Sequence, residues 1–216
     1  MLRTLHVATV VGVVLCALAA GATGVYAQAT ARPGLVSAMT ETGHVQPTAK
    51  AVPAAAAATP RISLNFDGVF RIHSSANGRC LDADTNTLGG DGTKVQLWNC
   101  GDNTHTNQLW YVYESPDNVF EAFQNVASRQ WLDADKNTIG GNGTKVQLWH
   151  DLPVANQLWL KNCGAYCRFA TADPDGAARV LDADSKTLGG NGTKVQLWED
   201  LGGPNQHWYF ELVQAP

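Results

Sequence analysis

The sequence predicts an all-β domain built from three four-stranded repeats with pseudo-threefold symmetry. One stretch occurs three times: it opens with Leu-Asp-Ala-Asp, ends in Gly-Thr-Lys-Val-Gln-Leu-Trp, and begins at Leu81, Leu132 and Leu181. The first Asp and the final Trp of every copy are 16 residues apart, and the copies follow one another at 51 and 49 residues. Repetition at such a period determines the architecture. No stretch has the length and periodicity of an amphipathic helix.

Each repeat contains four short runs of alternating apolar and polar residues, which is the pattern of a half-buried strand. In the first repeat these runs are 70–73, 79–82, 94–98 and 108–112. The turn before the third run has the favoured chemistry of a tight hairpin, in the pairs Asp91-Gly92, Asn142-Gly143 and Asn191-Gly192. Three repeats of four strands predict twelve strands.

The first 27 residues have the pattern of a signal peptide. A basic start is followed by an apolar run over 7–20, and Val25-Tyr26-Ala27 provides small residues at the positions that precede a cleavage site. An uncleaved membrane anchor is the alternative, which Gly21 and Gly24 disfavour because they interrupt the apolar run. We therefore expect a secreted, extracellular protein with no membrane span in the mature chain.

Residues 28–61 predict a flexible linker rich in Ala, Pro and Thr. The segment has too few large apolar residues to offset the entropy of ordering it. A propeptide is the alternative, and neither a linker nor a propeptide is expected to contain binding or catalytic residues. The folded domain is expected over 62–216.

The composition argues against nucleic-acid binding. The formal net charge is −4, whereas binding to a polyanion requires a basic stripe. The lysines of the repeats, Lys94, Lys145 and Lys194, are single and lie among acidic residues.

Four cysteines in the expected mature chain predict two disulfides, because an exported chain with an even count favours pairing. Cys80 with Cys100, and Cys163 with Cys167, close the shortest loops. Zinc is the alternative at Cys163 and Cys167, but no second ligand pair supports it. In the other two repeats Gln130 and Val180 are aligned with Cys80, and Asp151 and Asp200 with Cys100.

The repeated polar and aromatic residues suit a sugar. A pyranose presents hydroxyls on one edge and an apolar C–H face, so its site needs a hydroxyl acceptor, an amide and an aromatic plate. Asp82 can accept from hydroxyls, Asn107 supplies the amide, and Trp98 provides the plate.

The full set of motifs resembles the ricin B-chain-type lectin, a β-trefoil family with Gln-x-Trp repeats. The match rests on Cys-Leu-Asp, on Gly-Thr-x-Val-Gln-Leu-Trp and on the Asn-Gln-x-Trp that closes each repeat, and it covers about 62–213. The resemblance implies a six-stranded barrel capped by three hairpins. It also implies that Gln96 lines the first pocket and that Gln108 braces Asp82 from behind.

By the same resemblance, each repeat forms one lobe with its own carbohydrate site. The implied binding residues are Asp82, Gln96, Trp98, Asn107 and Gln108 in lobe 1, Asp133, Gln147, Trp149, Asn156 and Gln157 in lobe 2, and Asp182, Gln196, Trp198, Asn205 and Gln206 in lobe 3. Lobe 1 has two extra residues between its Trp and its Asn. The closing tryptophans Trp110, Trp159 and Trp208 are expected in the core.

Parts of the sequence are compatible with three other classes of function. A calcium loop at Asp82 lacks the Gly and the Glu that such loops need at positions 6 and 12, where Thr87 and Thr93 stand. A hydrolase would use paired carboxylates such as Asp82 and Asp84, but a threefold active site is implausible. A trefoil that binds a protein partner as an inhibitor does would carry its function on an inserted loop.

The sequence thus predicts a secreted, non-catalytic, monomeric lectin without cofactor or metal. Its partner is expected to be a galactose- or xylose-type glycan or polysaccharide, bound at up to three equivalent sites. A polysaccharide-targeting module of a hydrolase system is the alternative with the same chemistry.

Overall fold

In the computed structural model, residues 63–152, 154–176 and 179–216 are described. The expected signal peptide and linker lie outside these residues. Within them there are twelve strands and no α-helix, and no helix there is long and apolar enough to cross a membrane. The strands are β1 Asn65–Ser74, β2 Cys80–Ala83, β3 Thr93–Trp98, β4 Leu109–Glu114, β5 Phe120–Asn125, β6 Trp131–Ala134, β7 Thr144–Trp149, β8 Trp159–Cys163, β9 Cys167–Thr171, β10 Val180–Ala183, β11 Thr193–Trp198 and β12 Trp208–Gln214.

Six of the strands close into a barrel. Going round it, β1 pairs with β4, β4 with β5, β5 with β8, β8 with β9, β9 with β12, and β12 with β1, always antiparallel. Closure leaves no strand edge of the barrel unpaired.

The remaining six strands form three hairpins, β2–β3, β6–β7 and β10–β11, which cap one end of the barrel. Their second strands β3, β7 and β11 also pair with one another, so the hairpins meet in a triangle. The predicted all-β β-trefoil of three four-stranded repeats is confirmed.

Two details of the sequence-based alignment are wrong. Gln108 does not begin a strand but ends a short 3-10 turn, Thr106–Gln108, because its side-chain amide is hydrogen-bonded back towards the hairpin and holds the chain in a turn. In the second repeat, Trp131 and not Gln130 occupies the position of Cys80, since Trp131 pairs with Trp149 as Cys80 pairs with Trp98.

The closing tryptophans form the centre of the core, as predicted. Trp110, Trp159 and Trp208 are all 0% exposed. Each indole Nε1 donates to the backbone oxygen of the Leu that precedes the repeated Asp, at 3.0 to Leu81, 3.3 to Leu132 and 3.1 Å to Leu181. A buried indole needs such an acceptor, so these bonds tie the barrel to the cap.

Both expected disulfides are present. Cys80 is joined to Cys100 across 20 residues, and Cys163 to Cys167 across four. The first links β2 to the segment that follows Trp98, and the second closes the β8–β9 hairpin. The zinc interpretation of Cys163 and Cys167 is therefore wrong, because a sulfur in a disulfide is not a thiolate ligand.

Candidate functional site

In each lobe the repeated Asp receives three side-chain amides. In lobe 1, Gln96 Nε2 donates to Asp82 Oδ1 at 3.1 Å. Asn107 Nδ2 and Gln108 Nε2 both donate to Asp82 Oδ2 at 2.9 Å. The Gln comes from β3, opposite Asp82 in the hairpin, and the other two amides come from the 3-10 turn before β4.

Lobes 2 and 3 repeat this geometry. Asp133 accepts from Gln147 at 3.3, Asn156 at 2.8 and Gln157 at 3.1 Å. Asp182 accepts from Gln196 at 3.1, Asn205 at 2.8 and Gln206 at 3.0 Å. The structure thus brings together every amide and carboxylate that the sequence pattern assigns to the three lobes.

The three aspartates are buried, with exposures of only 2–4%. Burial raises the pKa of each of these carboxyls above its ordinary value, while the amide hydrogen bonds act in the opposite direction. An ionised carboxylate has about four acceptor positions. Three are taken by amides, so about one remains for a ligand hydroxyl.

The two amides of the 3-10 turn have different roles. Asn107 Nδ2 donates to Asp82 and to the backbone oxygen of Ala83 at 3.1 Å, and no donor of the described residues is hydrogen-bonded to its Oδ1. Gln108 has no such freedom, because Nε2 also donates to Asn99 O at 3.0 Å and Oε1 accepts from Gly101 N at 2.8 Å. Gln108 therefore braces Asp82 and fixes the loop after Trp98.

The tryptophan that ends the third strand of each repeat differs from the core tryptophans. Trp98 is 42% exposed, and Trp149 and Trp198 are half-buried. Each lies at the end of its strand beside the amide cluster, because it follows the site glutamine by two residues and points to the same face. An accessible indole in this place can stack on the apolar face of a sugar.

Cavities adjoin the clusters of lobes 1 and 2. The cavity in lobe 1 has a volume of about 380 Å³ and is lined by Asp82, Gln96, Trp98 and Asn107, among others. The cavity in lobe 2 is larger, at about 480 Å³, and is lined by Asp133, Gln147, Trp149 and Asn156 together with several residues that lobe 1 lacks.

Contacts between successive repeats fix the loop after each of these tryptophans, and the sequence analysis missed them. The residue before each hairpin Gly accepts a hydrogen bond from the backbone N–H that follows a Trp of another repeat. These bonds join His150 N to Asp91 at 2.8, Glu199 N to Asn142 at 2.8 and Asn99 N to Asn191 at 2.7 Å. The sequence pattern of the Asx-Gly pairs predicts only a turn, whereas in the structure their side chains also accept hydrogen bonds from another repeat.

The donors around Asp82 argue against calcium at this carboxylate. A calcium ion takes oxygen ligands, whereas N–H groups point at both oxygens of Asp82. Asp84 Oδ1 accepts from the backbone and side chain of Asn86 at 3.1 and 2.9 Å. In the described chain, the one group of His, Cys, Asp and Glu close enough to hold a metal is His73, Cys80 and Cys100, and both of its sulfurs are in a disulfide.

Comparisons with known proteins agree with the observed fold. Residues 61–149 match the model of a family described as ricin-type beta-trefoil lectin domain-like. No curated protein matches the chain.

Three solved structures illustrate the similarity of fold. The designed threefold-symmetric protein ThreeFoil is 22% identical, with a TM-score of 0.58 over 67% of this chain and 98% of its own. The Rhizoctonia solani agglutinin is 21% identical, with a TM-score of 0.57 over 71% of this chain and 99% of its own. An exo-β-1,3-galactanase from Clostridium thermocellum is 23% identical, with a TM-score of 0.53 over 68% of this chain but only 30% of its own.

Proposed function

We propose that the chain is a secreted lectin that binds glycan through three similar sites. The match of residues 61–149 to the ricin-type beta-trefoil lectin domain-like family supports this proposal. The observation that carries the proposal is the repeated unit of one buried carboxylate, a free amide oxygen and an accessible indole. In lobe 1 this unit is Asp82, Asn107 and Trp98. It offers a hydroxyl acceptor, a second acceptor and a plate for the C–H face.

The sites suit binding better than catalysis. Three amide donors hold Asp82 as an acceptor. The neighbouring carboxylate, Asp84, accepts from its own turn through Oδ1. A glycosidase needs one carboxyl that donates a proton and another that attacks or activates water, and neither carboxylate is arranged for these tasks. We therefore assign no reaction and no cofactor to the three lobes.

A single site of this kind should be weak, because few hydrogen bonds and one stacked ring compete with water. Three sites on one rigid body can raise avidity by ~10²–10⁴-fold when a ligand engages them together. This favours a polysaccharide or a multivalent glycan, of galactose or xylose type, as the ligand of a monomeric protein.

The first test replaces all three accessible tryptophans, Trp98, Trp149 and Trp198, with Ala. Loss of the plate should weaken each site by at least about tenfold, so the triple variant should no longer be retained on immobilised galactose- and xylose-containing polysaccharides. Each single variant should be retained less strongly than the wild type. Affinity chromatography on these matrices, with and without chelator, measures both effects.

The matched control is Tyr166→Ala, which removes an aromatic ring that is 50% exposed and lies outside the amide clusters. It should be retained like the wild type. Unchanged retention of the triple variant, with an unchanged circular dichroism spectrum, would contradict the proposal. Loss of wild-type retention in the presence of chelator would indicate a metal-dependent site.

A second candidate is a targeting module of a polysaccharide hydrolase. It is favoured by the similarity to the galactanase, of which this chain covers only 30%. A lectin and a targeting module would bind sugar through the same residues. The two candidate functions differ in whether the chain acts together with an enzyme. Co-purification of a glycoside hydrolase from the source culture, bound to the same polysaccharide, would support this second candidate.

A further inference from the structure

We infer that lobe 2 has an additional subsite and binds two consecutive sugar units, whereas lobe 1 binds one. The inference rests on the proposed function. The cavity in lobe 2 has a volume of about 480 Å³, and the cavity in lobe 1 has a volume of about 380 Å³. The extra space is bounded on one side by Lys136 and Asp173, in place of which the other lobes have uncharged residues, and on the other side by Leu152 and Val154.

One wall of the extra space comes from a longer loop in the third repeat. Eight residues separate β9 from β10, whereas five separate β5 from β6 and five separate β1 from β2. The first residue of chemical interest in the loop is Asp173, whose backbone N–H donates to Thr171 Oγ1. The same turn is made by Ala127 on Asn125 and by Ala76 on Ser74. The acid is therefore unique to this loop.

Asp173 is held over the lobe 2 cavity by an ion pair with Lys136. The Lys136 Nζ donates to Asp173 at 3.0 and 2.8 Å and to Asp175 at 2.9 Å. An ammonium has three N–H donors, so the two carboxylates together accept hydrogen bonds from all three. Asp173 is only 5% exposed, and Thr85 and Ser185 stand where lobe 2 has Lys136.

The other wall is apolar. Leu152 and Val154 line the same cavity, and Val154 is 40% exposed. Their counterparts can be located from the bracing glutamines, since Gln157 Oε1 accepts from Leu152 N as Gln108 Oε1 accepts from Gly101 N. Two residues before the site asparagine, lobe 1 has His105 and lobe 3 has Gly203 in place of Val154.

These two walls match the two kinds of surface on a pyranose. The carboxylate of Asp173 can accept from hydroxyls, and the methylene stem of Lys136 with Val154 and Leu152 can cover a C–H face. All three protons of the ammonium are engaged, so the wall offers acceptors more than free donors. It therefore favours a neutral sugar rich in hydroxyls over an anionic one, which the carboxylates would repel.

The experiment compares single-lobe proteins made from the full chain. Trp98→Ala with Trp198→Ala keeps lobe 2, and Trp149→Ala with Trp198→Ala keeps lobe 1. Isothermal titration with xylose, xylobiose and xylotriose, and with galactose and lactose, measures the gain in affinity from one sugar unit to two. We expect a gain of at least about tenfold in lobe 2 and less than about threefold in lobe 1, with no further gain from xylobiose to xylotriose.

Variants then test the two walls separately within the lobe 2 protein. Lys136→Thr with Asp173→Ala installs the residues of lobe 1 and should reduce the gain to the lobe 1 value while monosaccharide affinity stays unchanged. Val154→Gly installs the residue of lobe 3 on the opposite wall. If the loss of the buried Asp173 unfolds the domain, Val154→Gly alone tests whether the walls of the cavity contribute to the gain in affinity. The control is Lys186→Thr, a change in the lobe 3 hairpin that should leave the gain intact.

The outcomes separate the inference from the proposed function. Equal gains in lobes 1 and 2, or a gain in lobe 2 that survives both wall variants, overturn the second subsite and leave the lectin assignment standing. Failure of the wild-type protein to bind any of these sugars or their polymers overturns the proposed function, and the inference with it.

Discussion

At the residue scale, Glu121 is a buried acid that lies outside the three amide clusters. It lies on β5, is 6% exposed, and its Oε1 is 3.0 Å from Lys161 Nζ, which also contacts Glu114. Its other oxygen, Oε2, is buried without a hydrogen-bond partner in the described part of the chain. Burial raises the pKa of Glu121 from 4.5 to about 7, although Lys161 acts in the opposite direction.

This pKa predicts a specific loss of stability with rising pH. The folded protein keeps a proton on Glu121 that the unfolded chain has released, so the free energy of unfolding should fall as the pH rises from 4.5 to about 7. Glu121→Gln removes this dependence. The stability of the variant relative to the wild type should rise by up to about 3 kcal/mol across this range, as urea unfolding at a series of pH values can measure.

Glu199→Gln is the control for this titration, because Glu199 is an exposed acid of lobe 3. Its unfolding free energy should follow the wild-type pH dependence. If the Glu121→Gln curve also ran parallel to the wild type, the buried carboxyl would not be the titrating group.

Single residues of the site could be predicted because each occurs three times. Asp82, Gln96 and Asn107 recur at fixed spacing, and the amide hydrogen bonds explain that spacing. Glu121 and Asp173 occur once, and their partners, Lys161 and Lys136, lie 40 and 37 residues away. A single sequence contains no signal for such contacts, so neither could be found before the strands were placed in space.

At the scale of elements, the turn that leads into the third strand of each repeat depends on a glycine. Gly92, Gly143 and Gly192 have φ values of +85°, +91° and +88°. Each donates its N–H at 2.9 Å to a leucine oxygen of another repeat, namely Leu148, Leu197 and Leu97. The glycine conformation therefore fixes both the hairpin and its junction with the neighbouring hairpin.

Gly92→Ala should destabilise the domain by about 1–2 kcal/mol, because an L-residue is strained at this positive φ. An added Cβ would lie 3.6 Å from Lys145 Nζ, which is an ordinary contact, so the strain is in the backbone. Chemical denaturation measures the loss. Gly90→Ala in the same turn meets nothing within 4 Å and should change stability by less than about 0.5 kcal/mol. Equal losses at both positions would contradict this explanation.

Strands and hairpins followed from alternation and from the Asx-Gly turns, and these local signals suffice for local elements. The error at Gln108 has a different origin. Its 3-10 turn is held by amide hydrogen bonds to Asp82 and Asn99, and Asp82 is 26 residues away in the chain. The local pattern of 108–112 still favours a strand, so only the tertiary contact reveals the turn.

At the scale of the whole molecule, the fold is close to threefold symmetric while the sites are not. The barrel, the cap and the amide clusters repeat in all three lobes. Lobe 1 alone has the disulfide between Cys80 and Cys100, and lobe 2 alone has the Lys136–Asp173 pair. The repeated residues predict the symmetry, and the residues that differ between the repeats introduce the differences.

The closed barrel has one further consequence. The first strand, β1, pairs antiparallel with the last, β12, and Val69 lies opposite Gln214, so the two ends of the domain are neighbours in space. The order in which the repeats are translated is therefore not what defines the fold. A circular permutant of residues 63–216, with these ends joined by a short Gly-Ser linker and a new start at Asn118 in the exposed β4–β5 turn, should fold and bind the same sugars. A new start at Leu148, inside β7, should abolish folding. Circular dichroism and sugar titration of the two permutants would show whether the fold depends on where along the sequence the chain begins.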